Sequence, residues 1–253
     1  HLGNYYKAAA FMKTSSEINV KFYGEKSINA ARSFGNLANA LDDLGNQKAA
    51  ITYHQKALDI FGEELGRDHL YNAYSYSSLS AIYAKDFLYH KALSYASRAA
   101  AISENSPGAH FLRADAYYNM GASYYGLKDY DNAKTYYTKG LKIYEIEDPN
   151  GYDAGDFHQQ LALAESSAGN FPAAMYHYQK AIQFISDALG PQSPFLAKCY
   201  YNMAHSFVRE GDDAQALLNF EKALAIEMSL VGDDHPFLSK YHNAIGNIFL
   251  RRN

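Results

Sequence analysis

The sequence predicts an all-α protein, a solenoid of stacked helix hairpins. Three observations predict it. A small residue recurs as Ala38, Ser80, Gly121, Ala162, Ala204 and Gly246, at spacings of 42, 41, 41, 42 and 42. A period of that length is the mark of a tandem array. Each anchor follows an apolar residue: Leu37, Leu79, Met120, Leu161, Met203 or Ile245. Twelve residues after the first five anchors stands alanine (Ala50, Ala92, Ala133, Ala174, Ala216), and nineteen after stands another small residue (Ala57, Ala99, Gly140, Ala181, Ala223). Small residues at fixed offsets let two helices approach to roughly 8–10 Å.

The elements follow in order. The first helix of each unit runs through the anchor. Seven residues later Gly45, Gly169 and Gly211 offer a left-handed turn that ends a helix, while Phe87 and Lys128 depart from that pattern. The second helix carries the alanine and, sixteen residues after the anchor, a ring that fills the groove: His54, Tyr137, Tyr178 or Phe220, with Ala96 the exception. Repeat units fall near 1–26, 27–68, 69–107, 108–150, 151–192, 193–234 and 235–253, all within one domain, 1–253. Five complete hairpins therefore lie between two half hairpins, giving twelve helices. The opening half is a second helix near 4–18, and the closing half is a first helix near 235–252. Asn253 falls where Gly211 falls one unit earlier, so the frame reads the chain as a fragment of a longer protein. The unpartnered terminal helices leave apolar faces open and predict end-to-end self-association. "SENSPG" (103–108) and "EDPNGYDAGD" (147–156) are joints where Pro and Gly end helices. Pro194 and Pro236 suit the first turn of a helix, and Ser193 suits an N-cap.

Composition narrows the function. The net charge is −4 with no dense basic face, which argues against nucleic acid. No apolar run approaches 18 residues, so no membrane span is expected. The single Cys199 rules out an internal disulfide and fits a reducing, cytoplasmic setting; with no activating base beside it, it reads as a packing residue. There is no phosphate-binding loop, no H-E-x-x-H and no paired cysteine. No catalytic residue, metal or cofactor is expected. His54 holds a ring position, and His69 and His235 lie in matching joints, so these histidines read as structural.

"YYNMGASYYGLKDYDNAKTYYTKGLKIY" (117–144) and "YYNMAHSFVREGDDAQALLNFEKALAIE" (200–227) resemble the tetratricopeptide repeat (TPR), lacking only its usual tryptophan. A plain repeat of that family is about 34 residues. The longer period, with joints such as "LVGDDHPFLSKYHNAIG" (230–246) and "ALGPQSPFLAKCYYNMA" (188–204), resembles the kinesin light chain group and related bacterial arrays. The resemblance implies an α-α superhelix whose first helices line a concave groove.

On those first helices, offsets of −6, −2, +1 and +5 from the anchor form one stripe. Two residues before the anchor stand Asn36, Ser78, Asn119, Gln160, Asn202 and Ala244, and Asn39 and Asn247 follow it by one. An amide offers donors and an acceptor together and can pair with an extended peptide backbone, a use that the resemblance also implies. The alternative is that the amides join neighbouring helices. Tyr74, Tyr118, Tyr125 and Tyr201 lie on or beside the stripe, as pocket walls for an apolar anchor or as fillers between helices. The early end carries Arg32 with Asp42 and Asp43, and the late end carries Lys198, Arg209, Lys240 and Arg251 with His205 and no acid. The expected function is a protein- or peptide-binding scaffold, not an enzyme. It would hold an extended peptide in the groove, with acidic residues beside an apolar anchor. The second reading is a ligand-sensing regulatory domain of a bacterial signalling protein, taking a peptide or small molecule and controlling an attached effector domain.

Overall fold

The structure, a computed structural model, describes residues 2–251. Among these it has twelve α-helices, one 3-10 turn and no strand. They are α1 (Leu2–Tyr23), α2 (Ile28–Asp43), α3 (Gln47–Glu64), α4 (Leu70–Lys85), α5 (Tyr89–Glu104), α6 (His110–Gly126), α7 (Tyr130–Glu147), α8 (Tyr152–Ser167), α9 (Phe171–Leu189), α10 (Pro194–Glu210), α11 (Asp213–Val231) and α12 (Ser239–Arg251). The 3-10 turn, Pro236–Leu238, leads into α12, where one continuous helix from about 235 was expected. α1 runs to Tyr23 rather than ending near residue 18. The expected equivalence of Asn253 with Gly211, and the expected end of the last helix at Arg252, lie outside the described residues.

The fold is an all-α solenoid of helix hairpins, divided into two compact units, residues 1–128 and 129–253. In the first unit α2 packs on α3 and α4 on α5, α1 lies against α2, and α6 lies against α4 and α5. In the second α8 packs on α9 and α10 on α11, with α7 against α8 and α12 against α11.

The small residues act as the spacing required. Ala38, Ser80, Gly121, Ala162 and Ala204 are buried, as are all five alanines twelve residues on. Ser80 adds a bond: its hydroxyl donates to the Ala92 carbonyl at 2.8 Å, tying α4 to α5. Gly246, on α12, is exposed. The rings at the next position are also buried; Tyr178 packs with Ile185, Leu196 and Cys199 at the centre of the second unit. Burial pushes the Cys199 thiol pKa up, which suits a packing residue.

The turns keep one backbone shape whatever the residue. Gly45, Gly169 and Gly211 have φ of 77, 83 and 86°, and the departures Phe87 and Lys128 have φ of 61 and 64°. A side chain in that left-handed region costs roughly 1–2 kcal/mol. Several joints are capped by side chains. Ser193 accepts from the Phe195 N–H at 3.2 Å, as expected. His69 and His235 do the same through Nδ1, accepting from the Tyr71 and Phe237 N–H groups at 3.2 Å each. The matching joint histidines are helix caps.

Candidate functional site

The first unit opens a cavity of about 440 Å³ between α2 and α4, with α3 behind and α6 beyond. Arg32, Gly35, Asn36 and Asn39 line it from α2, His54 and Phe61 from α3, and Tyr71, Tyr74, Ser75 and Ser78 from α4. A shallower hollow of about 230 Å³ shares Ser77, Ser78 and Asp115 and adds Tyr118 and Asn119. The structure thus brings Asn36, Asn39, Tyr74, Tyr118 and Asn119 onto one continuous face. Tyr125, further along α6, lines neither space.

The amides on this face differ in what they do. Asn36 and Asn39 are exposed and bond to nothing among the described residues. The Asn119 amide donates to the Ser77 carbonyl at 3.2 Å and hydroxyl at 3.0 Å, joining α6 to α4. That is the helix-joining alternative realised at one position. Gln160, on α8, donates to Asp156 at 3.4 Å on its own helix. Arg32 lies 5.7 Å from the Tyr71 ring centre, and Asp42, at the same end, is paired with Lys85 at 2.7 Å.

His54 is 2% exposed, and neither ring nitrogen has a partner among the described residues. Burial holds its pKa down at about 4, against the opposing pull of Asp42, so the ring is neutral near pH 7. His54 holds the ring position that its spacing predicts, but what spacing does not reveal is that its two nitrogens have nothing to bond among the described residues. The signal was available as Gly35, three residues before the first anchor, where later repeats carry Ser77, Tyr118, Gln159, Tyr201 and Asn243.

In the second unit the equivalent space is filled. The Tyr201 ring lies 4.7 Å from His205, 5.4 Å from Phe220 and 5.2 Å from Tyr241, all near edge-on. Tyr241 is fully buried and donates its hydroxyl to Glu227 at 3.0 Å. Lys240 lies over Phe237, Tyr241 and Tyr201, at 3.8, 4.7 and 5.5 Å from their centres, and desolvation holds its pKa below the usual lysine value. Desolvation, then Arg209, lowers the pKa of His205. Lys198 is exposed and forms no ion pair among the described residues, and Asn202 is half-buried with a free side chain. Arg209 donates to Ser167 at 3.1 Å. The late end is not free of acids: Asp213 of α11 reaches Arg251 at 3.6 Å. Side-chain stripes counted on one helix cannot register a carboxylate arriving from its neighbour.

Among the described residues no group of three or more His, Cys, Asp or Glu could hold a metal ion, and no helix is long and apolar enough to cross a membrane.

Comparison with known proteins fixes the family. Curated proteins give no match. Among solved structures, BtubC (BKLC) from P. vanneervenii is 18% identical with a TM-score of 0.73, over 92% of this chain and 94% of that one. A kinesin light chain-like protein of P. anserina with nearly identical TPR-like repeats is 16% identical with a TM-score of 0.63, over 82% and 99%. A Rap protein complexed with Competence and Sporulation Factor is 19% identical with a TM-score of 0.68, over 99% and 71%. At these identities the likeness is one of fold. The tetratricopeptide repeat family model matches residues 1–63, 71–146 and 157–229, and the chain belongs to the tetratricopeptide repeat family.

Proposed function

We propose that this chain is a protein- or peptide-binding scaffold that holds an extended peptide along the first-helix face. The observation that carries the reading is the free amides. Asn36 and Asn39 stand unbonded beside a cavity in the first unit, and Asn202 has an unbonded amide in the second. Each can give an N–H and take one, which is what a strand of peptide backbone offers in return. Lys198, with no ion pair, supplies a cation for an acidic ligand residue. Lys240 is already held over three rings and Arg209 by Ser167, so both are weaker candidates for that role. The Rap structure bound to a Competence and Sporulation Factor supports ligand binding on this fold, and it favours ligand sensing as the second reading. A cytoplasmic setting, supported by the buried free thiol of Cys199, belongs to the proposal. So does end-to-end association through α1, which exposes Tyr6, Phe11 and Phe22. Sedimentation of the Phe11→Ser, Phe22→Ser variant against the unaltered chain tests that association.

The test of the main reading is a peptide array of acidic, neutral and basic decapeptides probed with the purified chain. For any peptide captured, the Asn36→Ala, Asn39→Ala, Asn202→Ala variant should bind at least tenfold more weakly with a melting temperature within a few degrees of the parent. Unchanged affinity in that variant sinks the backbone-ladder reading.

A further inference from the structure

Four residues before the anchor and fifteen after it, the repeat holds a pair of rings. They are Phe34 and Tyr53 in the first full hairpin, Tyr76 and Tyr95 in the second and Tyr117 and Tyr136 in the third, while the fifth has Tyr200 and Asn219. The first two pairs stand with ring centres 5.7 and 6.0 Å apart, tilted at 38 and 32°. In the fourth hairpin both positions are histidine, His158 on α8 and His177 on α9. These rings keep the pairing, 5.2 Å apart and tilted at 35°, and their Nδ1 atoms stand 3.0 Å apart. Phenylalanine and tyrosine supply that packing without titrating near neutrality, so packing alone does not call for histidine at either place. The hairpin is also tight here. His158 is buried and stacks on Phe184 at 5.7 Å. Three residues before it, a Cβ built on Gly155 would meet Ile185 at 2.8 Å and Phe184 at 3.1 Å.

At 3.0 Å the two Nδ1 atoms have room for one hydrogen between them, one nitrogen donating and the other accepting. A first proton can enter at Nε2 of the donor ring and leave that bond intact. A second would set two N–H groups head to head. We propose that His158 and His177 form a proton-operated clasp, which holds α8 to α9 while the pair carries at most one added proton and releases that hairpin, ahead of the rest of the array, when it takes two. The clasp needs no ligand to work. Its surroundings do not offset a second charge. Burial, then His177 and Lys180 of α9, disfavours charge on His158. Burial disfavours it on His177 too, with Glu165 of α8 pulling the other way. Glu165 is shared, accepting from Asn170 at 3.2 Å and pairing with Lys134 of α7 at 3.6 Å. Asp156, on the helix of His158, accepts from Gln160. From α10 come Cys199 and Tyr200, both held neutral by burial, and Arg209, bound to Ser167. The open pair takes both protons below about pH 6.5, the value of a free histidine. The clasp is therefore complete above that value and weakens as pH falls through it.

Cys199 reports the opening. It is the chain's one cysteine, buried with Ala162, Tyr178 and Ile185 in the cluster that joins α8, α9 and α10. The test is its labelling by 4,4′-dithiodipyridine in the whole chain at pH 7.5 and 5.0, each rate divided by that of N-acetylcysteine at the same pH. The relative rate should rise about tenfold or more at pH 5.0 while the helical signal in circular dichroism persists. The rise should also follow the second protonation of the pair, read from the imidazole nitrogen resonances of His158 and His177. The double variant His158→Tyr, His177→Tyr restores the ring pair of α4–α5 and should hold the rise below about twofold. His177→Gln still offers a donor to His158, removes one titrating group and should flatten the rise as well. No rise in the unaltered chain overturns the proposal, and so does a rise out of step with the histidine resonances, whether or not the variants fold. A rise that a folded variant keeps overturns it too. So does a rise that comes with loss of the helical signal, for the array then opens as a whole.

Discussion

In α10–α12 the rings of Tyr201, His205, Phe220 and Tyr241 close on one another; in α2–α4 the matching positions enclose empty space. Both regions keep the buried alanines of the hairpin, Ala38 with Ala50 and Ala204 with Ala216. The small residues are therefore the packing that the two regions share, and the first unit adds rings at other positions, Phe34 and Phe61. The difference teaches that the same four positions of the repeat can be closed by packing or left lining open space. The second unit uses its four positions for packing, and in the first they hold Gly35, Asn39, His54 and Ser75 and line a cavity.

The contrast breaks most visibly at Tyr241. Tyr241→Ala should cost about 3–5 kcal/mol, for it removes a buried ring and leaves Glu227 without its donor. Ser75→Ala, the same position in the first unit, should stay within about 1 kcal/mol. Urea denaturation of the two variants checks this, and equal losses would refute the division of labour.

The next effect is acid sensitivity. His54 in the first unit and His158 in the second are both held neutral by burial, with pKa values of about 4. His158 also faces His177 across α8 and α9, at 3.0 Å between their Nδ1 atoms. Unfolded histidine takes its proton near pH 6.5, whereas these rings in the fold wait until about 4. The unfolded chain thus binds more protons in that window. Stability is complete above the unfolded value and drains as pH falls from about 6.5 to 4, by up to about 3 kcal/mol for each ring. Urea midpoints at pH 7.5 and 4.5 measure it, and His54→Phe should recover part of the loss. A flat profile would show that the two rings are solvated.

Asn119 and Asn36 sharpen the comparison on a smaller scale. Asn119→Ala should cost about 1 kcal/mol through its lost bonds to Ser77, while Asn36→Ala should change stability by less than about 0.5 kcal/mol. Thermal melts separate the structural amide from the free one. The smallest effect belongs to Arg251→Ala. Its pair with Asp213 is partly exposed and should contribute no more than about 0.5 kcal/mol, fading in high salt.

The hairpins were legible in the sequence because close helix packing leaves a strict trace, a small residue at a fixed offset. The turn at Phe87 was legible only as a departure, since a left-handed backbone is visible in sequence when glycine supplies it and hidden when phenylalanine does. The amide face could be drawn from periodicity along each helix. Which amides are free could not, because Asn119 is engaged by a residue on another helix. The Gly35 opening was hidden for a different reason: an empty volume is recorded by what is missing from several helices at once.

The five turns, all closed by a residue with φ between 61 and 86°, set the twelve-residue step from anchor to alanine without exception. The nineteen-residue step to the next small residue is equally fixed. The difference between periods of 41 and 42 must then be taken up after that second small residue, late in the second helix or in the joint beyond it. For an engineer this separates the chain into stretches of fixed gauge and stretches with slack. A tag, a cross-linker or a grafted loop belongs in the slack, after Leu65 or after Asn105, where the array itself already varies its length.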